Sequence, residues 1–141
     1  MKRAFVLLAL VLASPAMAET WLTATVTSWH TDREAGYNER NLGAGLQHAV
    51  SPDLRLIAGH YRNSLDRPSN YVGVHWFAVR WGSWAFGAQG GTVTGYNAGS
   101  RWSPLLLPVL TYERRWWGVD IPAVAYGGEG VITVVLKFRL Q

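Results

Sequence analysis

The chain has 141 residues, among them eight tryptophans, six tyrosines and fifteen glycines, and it has no cysteine. The missing cysteines exclude the disulfide framework on which many small exported domains depend. The formal charge is +4, half of it from Lys2 and Arg3, and there is no basic run or recognition motif that would point to nucleic acid.

In chain order, the first element is a leader. Lys2 and Arg3 precede an apolar run from Ala4 to Ala13, then Ser14-Pro15 and the small-x-small sequence Ala16-Met17-Ala18. This pattern predicts a signal peptide over 1–18, cleaved to leave a single mature domain over 19–141. The run is too short for a transmembrane helix, which needs about 20 apolar residues. No later stretch is uniformly apolar for long enough either, so any membrane insertion of the mature chain would be as a β-barrel.

From Trp21 onward the sequence alternates in segments of about ten residues separated by turn signals. Strands are predicted at Trp21 to His30, Leu42 to Val50, Leu54 to Arg62, Tyr71 to Arg80, Trp84 to Thr94, Pro104 to Glu113, Trp116 to Val124 and Val131 to Leu140. The last is the cleanest, with Ile132, Val134, Leu136, Phe138 and Leu140 opposed to Thr133, Val135, Lys137 and Arg139. Long polar connections at 31–40, 63–70, 95–103 and 125–130 alternate with short turns at 51–53, 81–83 and 114–115. The predicted fold class is all-β: an eight-stranded antiparallel transmembrane β-barrel of the outer-membrane type, with long loops outside and short turns on the periplasmic side.

The inferred inward positions, Gly43, Gly45, Gln47, Gly87, Gln89, Gly91, Asp120, Thr133 and Lys137, are small or polar, as a narrow lumen requires. Lys137 and Arg139 are expected to pair in the lumen with Asp120 or Glu113. A soluble lipocalin-like barrel has the same strand count, but it keeps its apolar residues inside. Tryptophans next to the turns suit interfacial girdles, as at Arg114-Arg115 with Trp116-Trp117. The first strand is inconsistent within itself. Alternation that sends Thr23, Thr25 and Thr27 inward sends His30 outward, unless the rim turns it round.

Three residues are candidates for chemistry: His30, Asn63 and Ser64. Strand direction brings all three to the outer rim, and a serine beside a histidine oriented by a third polar group is the minimal arrangement for acyl transfer. His48, His60 and His75 lack metal-ligand spacing, so they are read as strand residues, and no metal or cofactor is expected.

Trp29-His30, followed by Tyr37-Asn38-Glu39-Arg40 and the Gly43/Gly45 strand, resembles the start of the lipid A palmitoyltransferase (PagP-like) family. The stretch Ala58 to Trp76 is similar without gaps, and Tyr61-Arg62-Asn63-Ser64 lies where the family carries an aromatic-basic-Asp-Ser run. Pro104 to Leu110 is similar to the family's proline- and leucine-rich strand, and Leu136 to Leu140 to its last one. The resemblance implies an outer-membrane enzyme of a Gram-negative bacterium that moves an acyl chain from a phospholipid to lipid A. Membrane lipids would be its partners and the barrel a monomer. His30 would be the base, Ser64 the hydroxyl, and Asn63 would stand where the family has aspartate. Asparagine carries no charge to stabilise an imidazolium, so a working site needs another carboxylate, for which Asp32, Glu39 and Asp66 are the loop candidates. His75 aligns with the family's glycine on the barrel floor, the family's N-terminal helix has no counterpart, and the chain ends Leu140-Gln141 without a terminal aromatic. The alternative reading is a non-catalytic barrel with a structural or surface-interaction role.

Overall fold

A computed structural model describes residues 19–98, 101–126 and 128–140. The predicted leader and Gln141 lie outside them. Eight strands, β1 (Thr20–His30), β2 (Gly43–Ser51), β3 (Leu54–Arg62), β4 (Pro68–Trp81), β5 (Trp84–Val93), β6 (Ser103–Glu113), β7 (Trp117–Tyr126) and β8 (Glu129–Leu140), follow one another around a closed barrel. Every neighbouring pair is antiparallel, and β8 returns to pair with β1 from Thr20↔Leu140 to His30↔Val131.

Two connections are shorter than the polar residues suggest. Pro68, Ser69 and Asn70 join β4 because they continue the ladder against Arg62, Tyr61 and His60. The expected loop over 125–130 contracts to a tight turn, in which Tyr126 pairs with Glu129 and Gly128 takes the positive φ of +83° that such a turn demands. The long connections 31–42 and 94–102 share the end of the barrel where β1 finishes, here called the rim. The opposite end, the floor, carries the short turns.

The first strand's inconsistency is resolved by a β-bulge. On β1, Thr25 pairs with Val135 and Thr27 with Val134, which leaves Val26 as the extra residue. Trp21, Thr23 and Thr25 point inward before it, and Ser28 and His30 point inward after it. One inserted residue reverses the side-chain alternation. Thr23, Thr25 and the histidine are therefore all interior, and Thr27 faces outward.

The outward surface is an apolar band that includes Leu22, Leu46, Val72, Phe86, Leu106 and Ile132. Trp81, Trp84 and Trp116 stand exposed at the floor end, and Trp29 and Trp102 at the rim end. Aromatic residues at both ends of an apolar band form the pattern of a barrel whose surroundings are lipid. The interior is the reverse of a lipocalin's. Lys137 Nζ donates to Glu113 Oε1 at 2.6 Å and to Asp120 Oδ1 at 2.7 Å. Asp120 also accepts from Gln47 Nε2 at 2.6 Å and Thr111 Oγ1 at 2.7 Å, and Arg55 pairs with Glu113. His75 stacks on Phe77 with centroids 4.2 Å apart, its Nδ1 3.8 Å from Asp120. These groups fill the floor half. Arg139 does not join them: it reaches the floor mouth and pairs with Glu19 at 2.7 Å.

Higher in the lumen, glycines make room for a phenol. A Cβ on Gly45 or Gly59 would fall 2.5 Å from Tyr71 Oη, so the ring crosses the barrel only because both positions lack side chains. The wall is also uneven. The β6–β7 ladder covers only Val109–Glu113 against Gly118–Pro122, while the rim halves of both strands remain paired on their other edges. Pro104, Pro108 and Pro122 have no N–H to donate, and the ladder stops at the Val109↔Pro122 pair.

Candidate active site at the rim

The bulge and the loop after β3 bring the first two candidate residues together. Ser64 Oγ lies 2.8 Å from His30 Nε2, and His30 is only 2% exposed. For the serine hydroxyl to donate to Nε2, the ring proton must sit on Nδ1. His30 Nδ1 is buried and has no hydrogen-bond partner. Leaving such an N–H unpaired costs roughly 1–3 kcal/mol, so the atom opposite it matters. That atom is Glu39 Oε1, 3.7 Å away.

Asn63, the third candidate, is fully buried, but its side chain serves the loop and not the histidine. Its Nδ2 donates to Ser69 Oγ at 2.9 Å and to the Gly95 carbonyl at 3.0 Å. Its Oδ1 accepts from the backbone N–H groups of Leu65, at 2.9 Å, and Arg67, at 3.0 Å. All of the amide's principal valences are thus spent on shaping the segment that presents Ser64. Of the three loop carboxylates, Glu39 faces His30. Asp66 is committed to Arg62, and Asp32 accepts from the backbone of Glu34 and Ala35.

The block Tyr37-Asn38-Glu39-Arg40 now has a physical reading. Tyr37 stacks on the His30 ring, with centroids 4.7 Å apart and planes inclined by 22°. The Glu129 carboxylate beside it pushes the Tyr37 phenol above its ordinary pKa. Asn38 ties the two loops: its backbone N–H donates to the Ser64 carbonyl at 2.8 Å and its Nδ2 to the Asn63 carbonyl at 3.1 Å. Glu39 accepts from the His30 backbone N–H at 3.2 Å and from Arg33 Nη1 at 2.7 Å. Arg40 is exposed. Asn41, just beyond, donates to the Arg62 carbonyl at 2.9 Å. Spacing along the chain gave no sign of the Tyr37 stacking or of the Asn38 and Asn41 ties, because each reaches across to a residue on another element.

An open cleft of about 440 Å³ borders this cluster, lined by Gly36, Tyr37, Ser64, Leu65, Asp66 and Arg67 among others. It gives the Ser64 side of the pair a path to the outside. Among the described residues no group of histidine, cysteine, aspartate or glutamate side chains is placed to hold a metal. The arrangement suits proton transfer between a serine hydroxyl and an imidazole, next to an open cleft.

No protein-family model and no curated protein sequence matches the chain. Solved structures do. The solution NMR structure of the de novo designed barrel TMB2.3 is 17% identical with a TM-score of 0.64, and the match covers 92% of this chain and 98% of that one. A second structure, from the de novo design of transmembrane β-barrels, is 18% identical with a TM-score of 0.65, covering 86% and 95%. At such identities the likeness concerns the fold. The chain is a small eight-stranded β-barrel built like designed transmembrane barrels.

Proposed function

We propose that the protein is an outer-membrane acyltransferase of the lipid A palmitoyltransferase type, exported behind a cleaved signal peptide and working as a monomer at the cell surface. The observation that carries this reading is the 2.8 Å contact between Ser64 Oγ and His30 Nε2 at the rim of a barrel with an apolar exterior. Ser64 Oγ attacks the ester carbonyl of a phospholipid as His30 Nε2 takes the hydroxyl proton. The ester C–O bond breaks, and that proton passes to the departing glycerol oxygen, leaving a lysophospholipid and an acylated Ser64. A lipid A hydroxyl then attacks the acyl group, gives its proton to His30, and Ser64 leaves with that proton restored. The unpaired rim halves of β6 and β7 support lateral passage of a lipid chain, because they leave the wall unzipped where it meets the outer leaflet.

A second reading, a non-catalytic barrel, draws on the filled floor. His75 is fully buried in the lumen where an acyl chain would otherwise extend. Mass spectrometry of lipid A and phospholipids from cells expressing wild type or Ser64→Ala separates the two, with insertion checked by heat-modifiable gel mobility. A new acylated lipid A and a lysophospholipid, both absent with Ser64→Ala at equal insertion, are expected. Unchanged lipids around an inserted wild-type barrel would establish the non-catalytic reading.

A further inference from the structure

We infer that Glu39 is the positioning residue of the site: it holds His30 in the Nδ1–H tautomer and stabilises the imidazolium that forms when Nε2 takes the serine proton. The inference rests on the acyl-transfer reading for its purpose, but on geometry for its substance. Asn63, in the place where the family resemblance puts an aspartate, has its amide engaged by Ser69, Gly95, Leu65 and Arg67. The need for an anion near the ring does not vanish, because a serine proton accepted by a 2% exposed imidazole creates a buried cation. Two observations place the substitute. His30 Nδ1 is a buried polar atom with nothing bonded to it, and the carboxylate oxygen 3.7 Å away belongs to Glu39.

The loop is built to keep that oxygen there. The Glu39 carbonyl accepts from Thr27 Oγ1 at 2.7 Å and from the Ser28 backbone N–H at 3.2 Å, so the residue is fastened to β1 beside the bulge. Its carboxylate is steadied by the His30 backbone N–H and by Arg33. Both bonds fall on Oε1, the oxygen 3.7 Å from Nδ1, so the carboxylate acts on the ring through its charge, and Oε2 is the oxygen with acceptor capacity for Nδ1–H. The separation of 3.7 Å is longer than a hydrogen bond, in keeping with catalytic contacts that tighten only around a substrate. The other groups that face His30 are Tyr37, stacked on it from the same loop, and Ser64 from the loop after β3, with Glu129 of β8 behind Tyr37. Glu39 is the one carboxylate of this set aimed at Nδ1.

The test is NMR of the selectively labelled His30 imidazole in the full-length barrel in micelles, together with labelling of Ser64 by a long-chain alkyl fluorophosphonate. Glu39→Gln keeps an oxygen for the His30 N–H and for Arg33 but loses the charge. It is expected to move the neutral His30 population from Nδ1–H toward Nε2–H, read from the ring nitrogen shifts, and to slow Ser64 labelling about tenfold or more. A merely structural Glu39 leaves the proton on Nδ1, and such a result in the inserted variant would overturn the inference. Should Glu39→Gln not insert, the wild type decides. A downfield proton on His30 Nδ1 after phosphonylation of Ser64 supports the relay, and a proton on Nε2 with Nδ1 bare overturns it. Because neither readout needs a lipid product, a shifted tautomer population with no acyl transfer would keep Glu39 in its role and retire the lipid reading. Transfer with an unchanged tautomer population would do the opposite.

Discussion

Lys137 Nζ and Asp120 Oδ1 lie 2.7 Å apart with neither residue exposed, and the pair ties β8 to β7 in the floor half of the lumen. Two charges removed from water hold each other only while both are present. Deleting one leaves the other buried and uncompensated, at a cost of about 3–5 kcal/mol. Lys137→Met is therefore expected to lower barrel stability by that amount, since it strands the fully buried Asp120, whereas Glu113 keeps Arg55. Urea unfolding in micelles, followed by tryptophan fluorescence, measures the loss. A change below about 1 kcal/mol would mean that water reaches the network and screens it.

Asn63→Asp, the change that would restore the residue implied by the family resemblance, is expected to harm the protein. Aspartate presents an oxygen where Nδ2 now donates to the Gly95 carbonyl. The lost donor and the new repulsion amount to about 1–3 kcal/mol. The same unfolding measurement applies, and a gain in stability or in Ser64 labelling would contradict the structural role given to Asn63.

Deletion of Val26 removes the residue that reverses alternation in β1. Thr25 and Thr27 then become consecutive opposite Val135 and Val134, so the ladder closes without a bulge while Ser28 and His30 still face the lumen. Labelling of Ser64 should stay near the wild-type rate. A deletion variant that inserts but labels only at the level of His30→Ala would show that the bulge itself shapes the site.

Backbone amides that face across the rim halves of β6 and β7 should exchange with deuterium faster than those of the fully paired β1–β8 ladder. The first set lacks cross-strand acceptors beyond Val109↔Pro122, whereas the second is paired throughout apart from the bulge. Hydrogen exchange in micelles, read residue by residue, checks this. Equal protection at Leu105–Leu107 and at Ala24–Thr25 on every amide would mean that the seam closes in solution.

At the loop after β3, the Arg62 guanidinium holds the Asp66 carboxyl below its ordinary value of 3.8, chiefly through their hydrogen bond. A depressed folded pKa contributes stability above the unfolded value that is lost as pH falls through the folded one. Carboxyl NMR should thus find Asp66 titrating below 3.8 in the wild type and near it in Arg62→Ala. An unshifted Asp66 in the wild type would remove the ion pair from the account of this loop.

The strands were legible in the sequence because lipid outside and a polar lumen inside impose strict alternation on residues such as Ile132 to Leu140. Where β4 begins was not, since Pro68, Ser69 and Asn70 have loop chemistry and are ordered by partners on β3. His30 and Ser64 could be placed on one rim from strand direction alone. The facing of His30 depended on Val26, an ordinary strand residue whose bulge is set by pairing with β8. The work done by Asn63 escaped the sequence for a similar reason: asparagine in a serine-containing loop looks the same whether it orients a histidine or braces a backbone. Glu39 stood among three loop carboxylates that only tertiary contact could rank.

The pairing of Thr20 with Leu140 has a consequence for how the protein is made. β1 has one edge that only β8 can cover, so a nascent chain carrying the first seven strands is an open sheet with two raw edges, each a template for pairing with another copy. Closure thus waits on the last strand, and until β8 is in place the earlier strands carry edges open to wrong pairing.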